Sequence, residues 1–333
     1  MSATVSREEL RNLVSGWLAS GKRVLGPVEA APGTVLFAPL GSADALLLDG
    51  WRRPGNSLKE AVFPRHETLY GYRVRKDGID LIDAPSELPE QIVIGAHPCD
   101  AAALPVLDKI FEWDYKDDFY LRRRASTTVV TLVCASHDEH CFCTSVGLGP
   151  ASERGSDAML LERPGGAYEV RAITGKGRAL FGEGSAEPFA AATAPEPRFE
   201  PAAVAAFARD RFADRFWQRQ ALACLGCGAC AYTCPVCHCF DIVDEGNGRE
   251  GVRARNWDAC QFPMFTQHAS GHNPRPTQGD RQRQRLYHKF FVYPDKFGEI
   301  LCTGCGNCAR NCPVGLGVLP LIMEIVHAEP VQA

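Results

Sequence analysis

The sequence predicts an N-terminal domain of the α/β or α+β class, followed by a C-terminal domain that is mostly α-helical. Between residues 91 and 150, two apolar strand-like runs alternate with a helical run, which is typical of an α/β sheet with some parallel pairing. An alanine- and proline-rich tract then predicts a linker. The 67 residues from 235 to 301 show no clear alternation, so we expect helices there. We place the domains at 1–184 and 202–333, with the linker at 185–201.

Short sequence motifs predict the helices, hairpins and strands of the first domain. Ser6 and Glu9 have capping-box spacing, which predicts the start of a helix. The Asp-Gly pair at 77–78 and the Pro-Gly-Gly sequence at 164–166 each predict a β-hairpin. QIVIGA at 91–96 and TTVVTLVCA after it predict buried strands, with a helix between them that is interrupted near Pro105. A helix beginning near Ala202 leads into the second domain.

Two copies of one cysteine pattern, C-x2-C-x2-C-x3-C-P, lie in the second domain as CLGCGACAYTCP and CTGCGNCARNCP. Three thiolates two residues apart on a tight loop can bind three corners of one iron-sulfur cube. The glycines between them let backbone N–H groups approach the sulfides. The pattern therefore predicts two 4Fe-4S clusters held by helix ends.

In two-cluster ferredoxins the fourth cysteine of each run binds the other cluster. We therefore predict a first set and a second set of ligands. The first set is Cys224, Cys227, Cys230 and Cys312, and the second set is Cys302, Cys305, Cys308 and Cys234. A pair of zinc knuckles is the alternative, because tetrahedral S4 sites suit both metals. Zinc sites usually take two cysteines from each of two loops and do not need a third cysteine, so the spacing favours clusters.

Four more cysteines follow the two buried strands of the first domain. This third set is Cys99, Cys134, Cys141 and Cys143. Because ligands sit beyond the carboxyl ends of strands in α/β sheets, the two loops can meet and supply four thiolates to a third 4Fe-4S cluster. Zinc is the alternative metal for this set. Without a metal, Cys99 and Cys134 would be small buried hydrophobes, and a redox-active thiol pair remains open.

Three cysteines, Cys237, Cys239 and Cys260, belong to none of these sets, and we call them the extra thiols. They are either packed beside a cluster or form an additional metal or sulfur-binding site. The basic tract GDRQRQRLYHKFF also has two interpretations. It is either a solvated helix face, or a set of cations that raises cluster potentials and forms a docking surface.

Composition excludes several classes. A net charge of −4 and a pI near 6.2 argue against a nucleic-acid partner. The N-terminus carries no export signal, and no apolar run is long enough to span a membrane. Eight of the fifteen cysteines lie in runs that need reduced thiolates, so we expect a cytoplasmic protein.

The assembled motifs resemble the β subunit of sulfhydrogenases, which are cytoplasmic nickel-iron hydrogenases, and the A subunit of anaerobic sulfite reductase. The resemblance covers most of the chain. It rests on SLKEAVFPRHETL, GAHPCDAAAL, HCFCTSVGLGP, CPVCHCFDIVDE, the stretch from RARNWDAC to SGHNPRP, and YHKF. It implies an iron-sulfur electron-transfer subunit between a flavin and NAD(P)-binding subunit and a catalytic subunit of the hydrogenase or sulfite reductase type.

The sequence contains no convincing G-x-G-x-x-G after a strand for a dinucleotide, and no nickel-iron ligand pattern. We therefore name no catalytic residue and expect no substrate-binding catalytic centre in this chain. The alternative is a stand-alone enzyme that reduces sulfur compounds or thiols at the extra thiols or at the third set. Turnover by the isolated chain would distinguish the two.

Overall fold

The computed structural model describes residues 4–48, 53–84 and 88–328. Eleven strands lie in these ranges, and they form two sheets. The strands are β1 (Thr4–Val5), β2 (Arg23–Ala31), β3 (Thr34–Pro39), β4 (His66–Val74), β5 (Ile79–Asp83), β6 (Gln91–Ala96), β7 (Thr127–Leu132), β8 (Ala158–Glu162), β9 (Tyr168–Ala172), β10 (Phe240–Gly246) and β11 (Glu250–Trp257).

Twelve α-helices lie in the same described ranges. They are α1 (Arg7–Ala19), α2 (Pro98–Ala101), α3 (Ala103–Glu112), α4 (Asp118–Ser126), α5 (Gly175–Phe181), α6 (Pro201–Asp210), α7 (Phe216–Gln220), α8 (Ala229–Tyr232), α9 (Gln278–Tyr287), α10 (Tyr293–Phe297), α11 (Asn307–Arg310) and α12 (Val318–His327). A π-helical turn, His288–Val292, joins α9 to α10, and short 3-10 turns complete the described chain.

The larger sheet has the order β1-β9-β8-β7-β6-β2-β3, and its four central strands β8, β7, β6 and β2 are mutually parallel. Helices α1 and α5 cover one face, while α3 and α4 cover the other. All six residues of β6 are buried, as its continuous apolar sequence predicts. The mixed α/β content of the first domain is confirmed, and the carboxyl ends of β6 and β7 open toward the cysteine-bearing loops.

Most local predictions for this domain are confirmed. Ser6 and Glu9 form the reciprocal hydrogen bonds of a capping box at the start of α1. The hairpins at 77–78 and 164–166 connect β4 to β5 and β8 to β9. The helix after β6 is interrupted at Ala102, which separates α2 from α3, rather than at Pro105 itself. Proline fits in the first turn of α3 because its missing N–H has no partner to lose there.

The second sheet corrects the expectation that the segment between the cysteine runs is helical. Residues 240–257 form the β10–β11 hairpin, and the sheet order β10-β11-β4-β5 joins strands from before and after the linker. Asn247-Gly248 at the hairpin turn is a recognised signal for this structure. Helix α9 does follow within the same segment, so the C-terminal part mixes a hairpin with short helices.

The predicted linker at 185–201 has no helix or long strand until α6 begins at Pro201, but it is packed against the loop between β7 and β8. The Thr144 hydroxyl donates to the Pro195 carbonyl at 2.7 Å, and the Arg198 N–H donates to the Ser145 hydroxyl at 2.9 Å. Phe199 is buried with residues of α6, α9 and α12. The linker therefore connects the loop of the third set to the helical core.

Candidate iron-sulfur centres

The two cysteine runs adopt the same local structure. In the first run Gly226 and Gly228 have φ values of +67° and +72°, and the short helix α8 follows. In the second run Gly304 and Gly306 have φ values of +65° and +76°, followed by α11. Only glycine adopts these angles without strain, so both runs fold into tight loops that direct cysteines inward.

The first set shares a single cavity. Its wall is formed by all four cysteines of this set, by other residues in or next to the two runs, and by two glutamines from the segment between the runs. These further residues are Leu225, Gly226, Gly228, Ala229, Pro313, Val314, Leu316, Gln261 and Gln282. The amides of Gln278 and Gln282 each donate to Cys224 Sγ at 3.2 Å. Cys312 is thus placed with the first run rather than with its own, as the predicted exchange requires, although the ligand assignment itself stays a prediction.

The second set is buried more deeply. Cys234 lies close enough to Cys302 and Cys305 to influence the pKa of each thiol. The Val318 N–H donates to Cys308 Sγ at 3.3 Å, and Lys289 Nζ donates to Cys234 Sγ at 3.5 Å. Hydrogen bonds of this kind stabilise thiolate ligands and tune a cluster.

The third set is brought together from three places in the first domain. Cys99 lies in α2 after β6, Cys134 follows β7, and the other two lie on the loop between β7 and β8. The charges of Cys99, Cys143 and Cys141 all affect the pKa of Cys134, so the four thiols lie close to one another. Arg53 Nη2 donates to Cys99 Sγ at 2.7 Å, which no sequence signal indicated.

The loop of the third set packs directly on the second run. Phe142 N–H donates to the Gly304 carbonyl at 2.9 Å. A Cβ added to Gly304 would lie 2.5 Å from the Cα of Cys143, and one added to Gly306 would lie 2.5 Å from the His140 carbonyl oxygen. The two loops approach so closely that only glycine fits, and this places the third set next to the second.

Cations partly surround the third set. Arg310 Nη2 donates to Cys141 Sγ at 3.2 Å, and its Nε donates to Asp138 at 2.7 Å. Arg53 contacts Cys99 and also donates from Nε to the Asn307 side-chain oxygen at 3.2 Å. Arg310 comes from the second run, so the chain on both sides of the linker contributes to this site.

The basic tract is only in part a solvated face. Arg281, Arg285 and Lys289 are buried, with Arg285 only 4% and Lys289 only 2% exposed. Nε and Nη2 of Arg285 have no hydrogen-bond partner among the described residues. A buried cation without an anion is costly. Anionic clusters on the first and second sets would supply the missing negative charge, so the residues present fit 4Fe-4S groups.

Burial sets the protonation of the thiols. It raises the pKa of Cys302 and of Cys99 to about 12, and that of Cys230 to about 11. Burial acts to lower the pKa of Lys289, but negative charge on Cys234 and Cys237 outweighs it and raises that pKa. The thiols of Cys99, Cys230 and Cys302 are therefore neutral until iron displaces their protons, and cluster assembly at these three ligands must release protons.

Within the described ranges, no three His, Cys, Asp or Glu side chains are placed to hold one metal ion. A tetrahedral zinc site needs its donors to converge on one ion. The ligands of a cubane bind separate iron atoms and need not converge. The preference for clusters over zinc knuckles therefore still rests on the spacing of the two cysteine runs.

Comparison with known proteins agrees with this chemistry. Residues 223–316 match a family described as a 4Fe-4S dicluster domain, which includes both cysteine runs. The protein is thus of the dicluster iron-sulfur class. The chain is also 31% identical over 320 residues to sulfhydrogenase 2 subunit beta of Pyrococcus furiosus, an alignment that covers 91% of this chain and 92% of the relative. No solved structure matches the chain.

This chain belongs to the sulfhydrogenase β-subunit family, as the sequence motifs predicted. It is an iron-sulfur protein of electron transfer, with a dicluster domain. No helix in the described part of the chain is long and apolar enough to cross a membrane.

Proposed function

We propose that this chain is the iron-sulfur relay of a cytoplasmic NAD(P)-linked oxidoreductase complex. It carries electrons between a flavin subunit, which binds NAD(P), and a catalytic subunit of the hydrogenase or sulfite reductase type. The relative is named as a subunit of a sulfhydrogenase, which supports a multi-subunit complex. A reducing compartment follows from the number of free thiols in the cluster runs.

The continuity of the three cysteine sets carries this proposal. Cys308 of the second set lies close enough to Cys230 of the first set to shift its pKa. Cys99 of the third set affects the pKa of Cys305 of the second set in the same way. Clusters on these ligands would form a row in the order first, second, third. Such a row gives single electrons a path across both parts of the chain.

The first set also provides a point of access. Cys227 is exposed, and the neighbouring side chains of Leu222 and Leu225 are 85% and 66% exposed. A cluster beside an exposed apolar surface can exchange electrons with a partner that covers it. The row would therefore begin at the surface and continue into the buried second and third sets.

A relay needs partners because of the number of electrons involved. NAD(P)H delivers a hydride, which carries two electrons, and a flavin divides the pair into single electrons. Clusters ligated by four cysteines have no open iron position and exchange single electrons. This chain shows no dinucleotide fingerprint, so the flavin and the nicotinamide nucleotide belong to another subunit.

The isolated chain, reconstituted with iron and sulfide and free of flavin, should be reduced by dithionite but should not oxidise NADH or NADPH. Adding the flavin subunit should produce bleaching of the cluster absorbance by NAD(P)H. The flavin subunit alone, assayed at the same concentration, is the control for its own turnover. Oxidation of NAD(P)H or reduction of sulfite by the isolated chain would contradict the proposal and favour the stand-alone enzyme.

A further inference from the structure

The extra thiols converge in space although they come from two segments. Cys237 and Cys239 precede β10, and Cys260 follows β11, so the hairpin returns the chain to its own start. The Asp258 N–H donates to the Cys239 carbonyl at 2.9 Å, which extends the pairing of the two strands by one residue. The thiols of Cys239 and Cys260 lie close enough for each to shift the pKa of the other.

The extra thiols also adjoin the first and second sets. The Cys237 N–H donates to the Cys234 carbonyl at 3.4 Å, and the two thiols shift the pKa of each other. Cys260 in turn affects the pKa of Cys230. The group therefore lies beside ligands of both the first and the second set. It is distinct from the third set, whose loop packs against the second run at Gly304.

Three buried cations face this group. Lys59, Arg285 and Lys289 are between 2% and 4% exposed. Cys237 lies close enough to each of these cations to affect its pKa. Lys59 Nζ donates to the Cys237 carbonyl at 2.8 Å and lies 3.8 Å from the ring centroid of Trp257.

The charge of these cations calls for an anion nearby. In the described part of the chain, none of the three cations pairs with a carboxylate. Lys59 and Lys289 donate to backbone carbonyls, Lys289 also donates to the Cys234 sulfur, and two nitrogen atoms of Arg285 have no hydrogen-bond partner among the described residues. Clusters on the first and second sets would supply negative charge to Arg285 and Lys289. Lys59, whose partners among the described residues are the Cys237 carbonyl and the Trp257 ring, needs a further anion, and iron-bound thiolates at the extra thiols would provide it.

We propose that Cys237, Cys239 and Cys260 hold a further 4Fe-4S cluster, so that every cysteine of the chain is a cluster ligand. Three cysteines leave one iron with a non-cysteine ligand, which distinguishes this centre from the fully cysteine-ligated ones. It goes beyond the proposed relay, because it adds a side branch next to the first and second sets. Its existence does not depend on which partner subunits bind.

A single metal ion or a disulfide explains the geometry less well. Three donors placed for one ion do not occur among the described side chains. A Cys239–Cys260 disulfide would be neutral, would leave Cys237 outside the site, and would leave Lys59 without a nearby anion. A cluster accounts for all three thiols and for the buried charge together.

The first test compares the iron content of single-cysteine variants with that of the unaltered chain. Cys260→Ser and, separately, Cys239→Ser should each lower the iron of the reconstituted chain by about four atoms and the acid-labile sulfide by a matching amount. Asp258→Asn, which alters a neighbour that carries no thiol, is the matched control and should keep full iron. Dithionite reduction of the remaining clusters in each variant shows that the chain has folded.

A second measurement uses the unaltered chain. One-electron oxidation by ferricyanide should release one Fe²⁺ from the centre with the non-cysteine ligand and leave a three-iron cluster, visible by electron paramagnetic resonance. This signal should be absent from Cys260→Ser. Unchanged iron in both serine variants, or a Cys239–Cys260 disulfide found by mass spectrometry of the reconstituted chain, would overturn the proposal.

Discussion

Replacing Cys143 with serine should remove about four iron atoms per chain while the two clusters of the C-terminal runs remain. The expectation follows from the third set, in which four thiols from three segments are neighbours and two arginines donate to them. Serine is a poor ligand for iron, so the loss of one thiolate should prevent stable assembly of this cluster. Iron and sulfide analysis after anaerobic reconstitution measures the change.

Thr144→Ser is the matched control for this variant. It alters the next residue of the same turn but keeps the hydroxyl that donates to the Pro195 carbonyl. It should retain the full iron content. If Cys143→Ser also retained it, the third set would consist of ordinary buried thiols and the relay would lose its N-terminal member.

The second large effect concerns the exchange of fourth ligands. Cys312→Ser should perturb the same spectroscopic signal as Cys227→Ser, because both residues line the cavity of the first set. Cys305→Ser should perturb a different signal, since that thiol adjoins Cys234 and the third set. Electron paramagnetic resonance of the dithionite-reduced variants measures these changes.

Val314→Ala, which lines the same cavity without a thiol, should leave both signals as they are. A shared effect of Cys312→Ser and Cys305→Ser would mean that each run binds its own cluster. That result would contradict the exchange but would leave the cluster count unchanged.

Some features of this chain were predictable because their causes are local in the sequence. The C-x2-C-x2-C-x3-C-P spacing and its glycines define the two cluster loops without any distant contact. The capping box of α1 and the hairpin at 77–78 depend on neighbouring residues only. For the third set, the rule that loops meet at the carboxyl ends of strands was sufficient to bring the thiols together.

Other features depend on contacts between distant residues. Lys59 and Cys237 are 178 positions apart, and nothing near Lys59 in the sequence indicates that it is buried against Trp257 and the extra thiols. The basic tract was ambiguous for the same reason, because burial of Arg285 is decided by the cysteines it faces. The β10–β11 hairpin is different. Its Asn-Gly turn is present in the sequence, but its strands, of which β10 is largely exposed, lack a clear apolar alternation, so the sequence predicts helices there.

The central claim is that clusters in the two parts of the chain form one electron path, with the third set beside the second. Electron paramagnetic resonance of the fully reduced, reconstituted chain tests it most directly. Reduced clusters that are close neighbours should give a broadened signal from magnetic interaction, and Cys143→Ser should simplify that signal to the spectrum of the remaining clusters. A spectrum equal to the sum of independent clusters, unchanged in shape by Cys143→Ser apart from one missing component, would contradict the continuous path.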